Sequence, residues 1–299
     1  MTIAFKHIYW ILGFIILSSV SIPSIAKDTR STPLQIPQGK SQFVFDYSAS
    51  KKLDVWVYRP EKIESSTQVL FIMHGVKRDA ERYLDEWLPY LKLHKMVGIV
   101  PHFSQQQYPK SLSYNLGNMH DKLKRPRKRE DWSFSVVEPL FDKVRSNLSL
   151  DQQKYNIYGH SAGAQFVHRF LMLNPQARIN KAISANAGWY TLPLLDEEYP
   201  YGLRGTNLDT SALKQAFSKK LIVLLGTEDS DPKAKYLRKT KNALKQGDNR
   251  LDRGIFFYNQ SKIQSANISA NLNWQINFAQ GVGHSNKQMA AFAVDVLVN

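Results

Sequence analysis

A pentapeptide centred on one serine is the strongest chemical signal in this sequence. Residues 159–163 read Gly-His-Ser-Ala-Gly, a G-x-S-x-G pattern. A short apolar run at residues 155–158 precedes it, and a helical pattern at residues 164–173 follows it. A strand, a tight turn and a helix are the setting in which this pattern marks a nucleophile elbow. The serine then stands at the N-terminus of a helix, which favours negative charge. The sequence therefore predicts Ser161 as a nucleophile.

A histidine near the C-terminus could supply the base that this serine needs. A serine hydroxyl reacts only when a base takes its proton, and the base needs a third group to orient it. Proteins with such an elbow carry these groups in the chain order serine, acid, histidine. Of the eight histidines, His284 alone lies after both the elbow and the acidic segment at residues 226–232. We therefore expect His284 to be the base; an exposed loop histidine is the alternative.

The acid is expected from a segment with three carboxylates, Glu228, Asp229 and Asp231, which follows an apolar run at residues 221–225. Asp229 is the preferred candidate, since three residues beyond Gly226 is the usual place for a turn to return a side chain to the pocket. Asp231 directly precedes a proline and could instead cap the next helix. Glu228 is expected to point to solvent.

Two backbone N–H groups are expected to bind the oxyanion of a tetrahedral intermediate. Ala162, which follows the nucleophile, should provide one, and the loop after the first buried strand should provide the other. That loop contains His74, Gly75 and Val76. Gly75 lets the backbone approach closely, and Val76 is the expected donor. His74 is expected to brace the loop by hydrogen bonding.

The elements around these residues alternate between strand and helix from residue 68 onward. Strands are predicted at residues 68–73, 96–100, 155–158, 182–187, 221–225 and 274–278, and helices at 79–94, 131–148, 164–173, 232–244 and 286–298. Two half-buried strands, at residues 41–47 and 53–58, come before them. This order predicts an α/β fold with a mainly parallel sheet, antiparallel N-terminal edge strands and helices on both faces. In such sheets ligands bind at the C-terminal ends of the strands, where the candidate residues lie.

With these residues placed, the chain resembles the α/β-hydrolase superfamily. Within it, the chain is similar to bacterial poly(3-hydroxybutyrate) depolymerase-like and feruloyl-esterase-like serine esterases. The matching segments are residues 74–75, 158–165, 226–229 and 283–284, and the resemblance extends from about residue 41 to the last residue. It implies an α/β-hydrolase fold, a triad of Ser161, Asp229 and His284, and oxyanion donors at Val76 and Ala162. The loop after His74 lacks the further glycines of the HGGG type, which argues against the hormone-sensitive-lipase branch.

The expected function is hydrolysis of soluble, small-molecule carboxylic esters through an acyl-enzyme, with no metal or organic cofactor. An amidase or peptidase with the same triad is one alternative, and a non-catalytic envelope-binding protein on a hydrolase fold is another. An aromatic segment follows a predicted strand end, and a small cap is expected around residues 189–215. The candidate substrate-binding residues are His74, Trp189 and Tyr190.

The first residues are typical of an export signal. Lys6 and His7 precede an apolar stretch at residues 8–20, and small residues then lead to a predicted cleavage site after Ala26. The stretch is about 13 residues long, short of the roughly 20 that span a bilayer, although an uncleaved anchor is the alternative. We expect residues 1–26 to be a signal peptide, 27–40 a lead-in and 41–299 a single domain in a periplasmic or secreted protein.

Composition limits which covalent or metal cross-links could stabilise the chain and which partners it could bind. There is no cysteine, which excludes disulfides and thiolate metal sites. The net charge is +15. The densest basic run contains Lys122, Lys124, Arg125, Arg127, Lys128 and Arg129. It has no aromatic residue for base stacking, so no nucleic-acid binding is expected. We expect a solvated loop, with weak contact to an anionic envelope surface as the alternative.

Overall fold

The computed structural model describes residues 1–2, 35–48 and 51–299. Most of the predicted export signal and lead-in, residues 3–34, lies outside these residues. The strands are β1 Gly39–Ser48, β2 Lys51–Arg59, β3 Val69–Met73, β4 Val97–Pro101, β5 Tyr155–His160, β6 Ile179–Ala185, β7 Leu221–Gly226 and β8 Trp274–Ala279. The α-helices are α1 Ala80–Leu93, α2 Lys110–Ser113, α3 Val137–Asn147, α4 Ala162–Leu173, α5 Thr210–Ser218, α6 Lys241–Leu244, α7 Arg250–Asn267 and α8 Asn286–Val298.

These strands form one sheet in the order β1-β2-β4-β3-β5-β6-β7-β8. The pairs β1–β2 and β2–β4 are antiparallel, and the remaining neighbours are parallel. The predicted α/β fold, with antiparallel strands at its N-terminal edge, is therefore confirmed. The parallel pairs bring the C-terminal ends of β3, β5, β6, β7 and β8 to one edge, where ligands bind in such sheets.

Both faces of the sheet are covered, which explains the continuous apolar runs of the central strands. All five residues of β3 are buried. Phe71 and Met73 pack in a large apolar cluster with residues of α3, α4 and α7, whereas Leu70 and Ile72 pack in a second cluster with residues of α1 and α8. Because successive strand residues point to opposite faces, the two clusters lie on opposite sides of the sheet.

The segment between β7 and β8 differs from its predicted structure. A helix was expected at residues 232–244, but residues 232–239 form turns and only α6, Lys241–Leu244, is helical. Two carbonyl groups in these turns, of Lys235 and Arg238, accept hydrogen bonds from arginines of α7. Helix α7 is 18 residues long and is absent from the predicted elements, as is α5. Tertiary hydrogen bonds thus replace the intrahelical ones.

The N-terminal part of the predicted helix at residues 131–148 also differs. Residues Arg129–Asp131 and Ser133–Val136 form two short 3-10 helices before α3 begins. The basic run at residues 122–129 is exposed and precedes them. Three of its cations form surface ion pairs: Lys124 with Glu198, Arg125 with Asp121, and Lys128 with Glu130.

Candidate active site

The serine pentapeptide forms a sharp turn between β5 and α4. Ser161 has φ +60° and ψ −113°, a backbone conformation that non-glycine residues rarely adopt. Glycine is required on both sides of it. A Cβ at Gly159 would lie 2.3 Å from the backbone of Gly163, and a Cβ at Gly163 would lie 1.9 Å from the carbonyl oxygen of Met73. The two glycines therefore allow β3, β5 and α4 to pack closely around a strained serine.

The three residues predicted as a triad are in hydrogen-bond contact. Ser161 Oγ lies 3.1 Å from His284 Nε2, and His284 Nδ1 lies 2.6 Å from Asp229 Oδ2. With the proton on Nδ1, the imidazole donates to the carboxylate and its Nε2 accepts from the serine hydroxyl. Of the three candidate acids, Asp229 is the one that contacts His284 and is buried, whereas Glu228 and Asp231 are exposed. Asp231 Oδ1 instead accepts from the N–H of Lys233.

Asp229 has a second charged partner that the sequence did not predict. Nη1 of Arg250 lies 3.1 Å from Asp229 Oδ1, and both side chains are 3% exposed. Arg250 is the first residue of α7, and the N–H of the following residue, Leu251, donates to the carbonyl of Asp229. The carboxylate is thus held between an arginine and a histidine. Helix α7, which was not predicted from the sequence, places Arg250 beside the turn that carries Asp229. The contact between Arg250 and Asp229 was therefore not predicted either.

Both predicted oxyanion donors border a cavity that Ser161 also borders. Ala162 is the first residue of α4, so its N–H has no partner within the helix. Val76 follows β3 and borders the same cavity as Ala162. Tyr83 constrains the loop that carries Val76. Its hydroxyl would lie 2.6 Å from a Cβ placed at the preceding residue, Gly75. Nothing larger than glycine fits there unless the tyrosine moves.

His160, within the elbow, is a buried neutral group beside the triad. Its ring centroid lies 4.5 Å from that of His284, and its Nδ1 lies 3.2 Å from the hydroxyl of Tyr83. Burial, followed by the charges of His284 and Arg250, holds the pKa of His160 well below its usual value of 6.5. At neutral pH His160 therefore adds no positive charge next to His284.

Two cavities meet at Ser161. The larger, of about 490 Å³, is bordered by Ser161, His284 and Arg250, and by Lys77, Arg82, Glu86 and Lys235. The smaller, of about 250 Å³, is bordered by Ser161 and Ala162 but not by His284. Its other walls include Asn115, Gln165, Trp189, Arg238 and Arg250. Cationic side chains therefore border the serine on both sides.

Of the three candidate substrate-binding residues, Trp189 alone borders one of these two cavities. Tyr190 is fully buried, and its ring stacks on Phe257 at 4.5 Å. His74 is also fully buried, and its Nε2 accepts from the N–H of Phe103 at 3.1 Å. His74 thus braces the loop, as its position before Gly75 predicted, and its desolvation lowers its pKa to about 3. The structure does not bring His74 or Tyr190 to the cavity surface.

The described residues contain no group of three or more histidine, aspartate or glutamate side chains that could hold a metal ion. No helix in this part of the chain is long and apolar enough to cross a membrane.

Comparisons with solved structures identify the class of protein. Poly(aspartic acid) hydrolase-1 from Sphingomonas sp. KT-1 is 42% identical, with a TM-score of 0.87 over 88% of this chain and 100% of that one. LpqC, a poly(3-hydroxybutyrate) depolymerase from Bordetella parapertussis, is 28% identical, with a TM-score of 0.83 over 87% of this chain and 89% of that one. An S-formylglutathione hydrolase from Agrobacterium tumefaciens shares the fold at 15% identity, with a TM-score of 0.58 over 88% and 95% of the two chains.

No protein-family model matches the chain, and no curated protein does either. The identity and coverage of the structural relatives are nevertheless sufficient, and the chain belongs to the α/β-hydrolase superfamily. The resemblance inferred from the sequence is confirmed, and the protein is a hydrolase.

Proposed function

We propose that this protein is a serine hydrolase that cleaves carboxylic acyl bonds through a Ser161 acyl-enzyme. The observation that carries the proposal is the continuous chain of contacts from Ser161 Oγ through His284 to Asp229, at the C-terminal ends of the strands. A nucleophile, a base and a group that orients the base are the parts that such catalysis requires.

The reaction follows from these contacts. Ser161 Oγ attacks the substrate carbonyl while His284 Nε2 takes the hydroxyl proton. The backbone N–H groups of Val76 and Ala162 bind the resulting oxyanion. His284 then gives the proton to the leaving group, and a water molecule releases the acyl group by the same steps in reverse. Asp229 holds the imidazole in its tautomer and stabilises its positive charge.

The two cavities take different parts of the substrate. His284 must reach the leaving group to protonate it, and His284 borders the larger cavity only. The leaving group therefore lies in the larger cavity. The acyl group extends into the smaller cavity, on the side of Ser161 and Ala162.

The favoured substrate is an amide-linked polyanion of the poly(aspartic acid) type. The 42% identical relative is named for hydrolysis of that polymer. The larger cavity also carries exposed Lys77 and Lys235 on its rim, which would attract a leaving chain rich in carboxylates. Arg82, on the same rim, is paired with Asp79 and Glu86 and contributes less free charge.

A carboxylic ester is the second candidate substrate, because LpqC is named as a depolymerase of a polyester and the same triad cleaves both bonds. The chemistry at Ser161 does not differ between the two. The distinction lies in charge: a neutral ester gains nothing from Lys77 and Lys235, whereas a polyanion does.

A fluorophosphonate probe and a substrate panel test the proposal. The probe should label the native protein and not the Ser161→Ala variant. Poly(aspartic acid), followed by the appearance of short fragments in size-exclusion chromatography, should be cleaved, as should the intrinsically more reactive p-nitrophenyl esters. Absence of labelling would refute the serine mechanism, and cleavage of esters alone would favour the second candidate.

We also propose that the protein is exported, on the sequence of residues 1–26. Mass spectrometry of the protein recovered from the periplasm or medium of a bacterial host should give an N-terminus at Lys27. A chain that retains residues 1–26 in the membrane fraction would favour the anchor instead. Contact of the basic run at residues 122–129 with an anionic envelope surface stays a prediction.

A further inference from the structure

We propose that the smaller cavity beside Ser161 binds a carboxylate on the acyl part of the substrate, through Arg238 and Arg250 next to Trp189. The inference rests on the proposed function, which places the acyl group in this cavity, and adds a specificity to it. The acyl group that fits is a succinyl-like one, with a carboxylate two carbons away from the carbonyl that Ser161 attacks.

Arg238 offers free hydrogen-bond donors to this cavity. Its guanidinium carbon lies 4.8 Å from the ring centroid of Trp189, and its Nε donates to the hydroxyl of Tyr201 at 2.8 Å and more weakly to Thr240. Within the described residues neither of its Nη groups has a hydrogen-bond partner. The guanidinium is thus held by its Nε and its flat face, while the two Nη groups remain available to a carboxylate in bidentate geometry.

Arg250 also borders the smaller cavity. Its Nη1 binds Asp229 and its Nη2 donates to the carbonyl of Lys235. Its Nε is buried and has no partner in the described part of the chain. Because its Nη groups are paired and its Nε is not accessible, Arg250 contributes positive charge to the cavity wall, and Arg238 contributes the free donors.

Two further arginines lie directly behind the wall of the cavity. Arg169 lies 4.3 Å from the Trp189 ring, and Arg253 Nη1 donates to the carbonyl of Gly188 at 2.7 Å. Both are buried, and the bonds that they make in the described residues go to neutral oxygens. Burial lowers the pKa of Arg169 to about 10, so it is charged at neutral pH.

The charge around the cavity is therefore unbalanced. Arg169, Arg238, Arg250 and Arg253 contribute four positive charges, and Asp229 is the one carboxylate that pairs with any of them in the described residues. Unpaired positive charges that are buried in the wall of a cavity raise the free energy of the folded protein, and a bound anion lowers it again. A carboxylate in the cavity would neutralise part of this charge.

The size and lining of the cavity define the acyl group further. A volume of about 250 Å³ holds a short acyl group. Polar side chains of Asn115 and Gln165 border it together with the arginines, which does not suit an aliphatic chain. An aspartyl residue presents the succinyl skeleton whichever of its two carboxyls forms the amide bond. The cavity thus matches the acyl residue of an aspartyl polymer.

Two small esters of the same shape isolate this contact. Monoethyl succinate carries the carboxylate, and ethyl levulinate replaces it with a neutral methyl ketone; ethanol release gives kcat/KM for each. A charge-assisted bond contributes about 1.5–3 kcal/mol, so the native enzyme should favour the succinate ester by about 10-fold or more. Arg238→Gln should lower that ratio about 10-fold, and Arg238→Lys, which keeps the charge without the fork, should lower it less.

Lys239→Gln is the matched control, since it removes the same charge from the exposed neighbouring residue. It should leave the ratio unchanged. Equal rates on the two esters, or equal effects of Arg238→Gln and Lys239→Gln, would overturn the subsite while leaving the serine mechanism intact.

Calorimetry separates the subsite from catalysis. Succinate should bind to the Ser161→Ala protein, and at least about 5-fold more weakly once Arg238→Gln is added. Absence of succinate binding would overturn the subsite even if esters are hydrolysed. Succinate binding without fluorophosphonate labelling of the native protein would instead retain the subsite and refute the proposed function.

Discussion

Different interactions position two regions of the site. One region is the loops that carry the candidate triad, and the other is residues 232–267, the backing segment, which packs behind them. Ser161 directly follows β5, and Asp229 and His284 lie in the short turns after β7 and β8, so the sheet largely fixes their separation. The backing segment has turns, a short helix and α7, and carbonyl oxygens hold two of its arginines, Arg250 and Arg253. The first region is positioned by the backbone of the sheet, and the second by side chains that bond across the fold.

The two regions are expected to control different properties of the site. Arg250 offsets the negative charge of Asp229, and the chemistry of such a triad serves many substrates. Cationic side chains border the serine in both cavities, and those of the smaller cavity belong mainly to the backing segment. We therefore expect substitutions in the triad to lower the rate for every substrate, and substitutions in the backing segment to act on stability or on particular substrates.

Ser161→Ala should have the largest effect. Removing the nucleophile abolishes the acyl-enzyme, and kcat should fall by about 10⁴-fold or more on amides and esters alike. The measurement is initial rate on both substrate classes at saturating concentration. A fall on one class alone would mean that the triad is not common to both reactions.

Asp229→Asn should lower kcat by about 10⁴-fold, because an amide cannot fix the tautomer of His284 or stabilise its charge. Asp231→Asn, two residues away in an exposed turn, is the matched control and should leave kcat within a factor of about two. A small loss in Asp229→Asn, or a larger loss in Asp231→Asn, would place the acid elsewhere in this turn.

Arg250→Met should act mainly on stability. The substitution leaves the buried carboxylate of Asp229 without its arginine, which typically costs about 3–5 kcal/mol. Urea denaturation measures the loss in the free energy of unfolding. The double variant with Asp229→Asn should recover part of that loss, because no unpaired charge then remains. A double variant as unstable as the sum of the two single variants would show that the pair is not coupled.

The smallest of these expected effects is a decrease in the free energy of unfolding at acidic pH, caused by buried histidines. His168 Nδ1 donates to the carbonyl of Ala164 and its Nε2 accepts from the N–H of Thr191. Burial, and then the charge of Arg169, holds its pKa well below 6.5. Between that lowered pKa and 6.5 the unfolded chain binds a proton that the folded chain does not. The free energy of unfolding therefore falls as pH decreases, by roughly 1 kcal/mol per pH unit for this histidine.

His168→Gln removes the titrating group, so urea denaturation between pH 7 and pH 5 should show a shallower fall than in the native protein. An unchanged slope would show that His168 is not held neutral in the fold.

The sequence predicted the sheet, and the three side chains that the structure brings into contact at the candidate site, from a few patterns. Continuous apolar runs such as residues 221–225 can be accommodated only in strands covered on both faces, and the glycines around Ser161 are needed for close backbone packing. Asp229 and His284 follow from chain order. The apolar runs and the glycines are local signals, because each depends on a few adjacent residues, whereas chain order relates segments that are far apart.

The tertiary structure decided what surrounds the serine. Nothing in the sequence around Arg250 and Arg253 indicates that they are buried or names their partners, and arginine is seldom buried. Tyr190 and His74 looked like pocket residues and instead pack inside the molecule.

What the sequence alone determined is thus the fold class and the chemistry proposed for Ser161, His284 and Asp229, because strand ends and tight turns are specified locally. The three-dimensional structure alone decided which charges face that serine. Residues far apart in the chain, such as Arg169, Trp189 and Arg238, come together only when α4, the loop after β6 and the turns before α7 pack against one another.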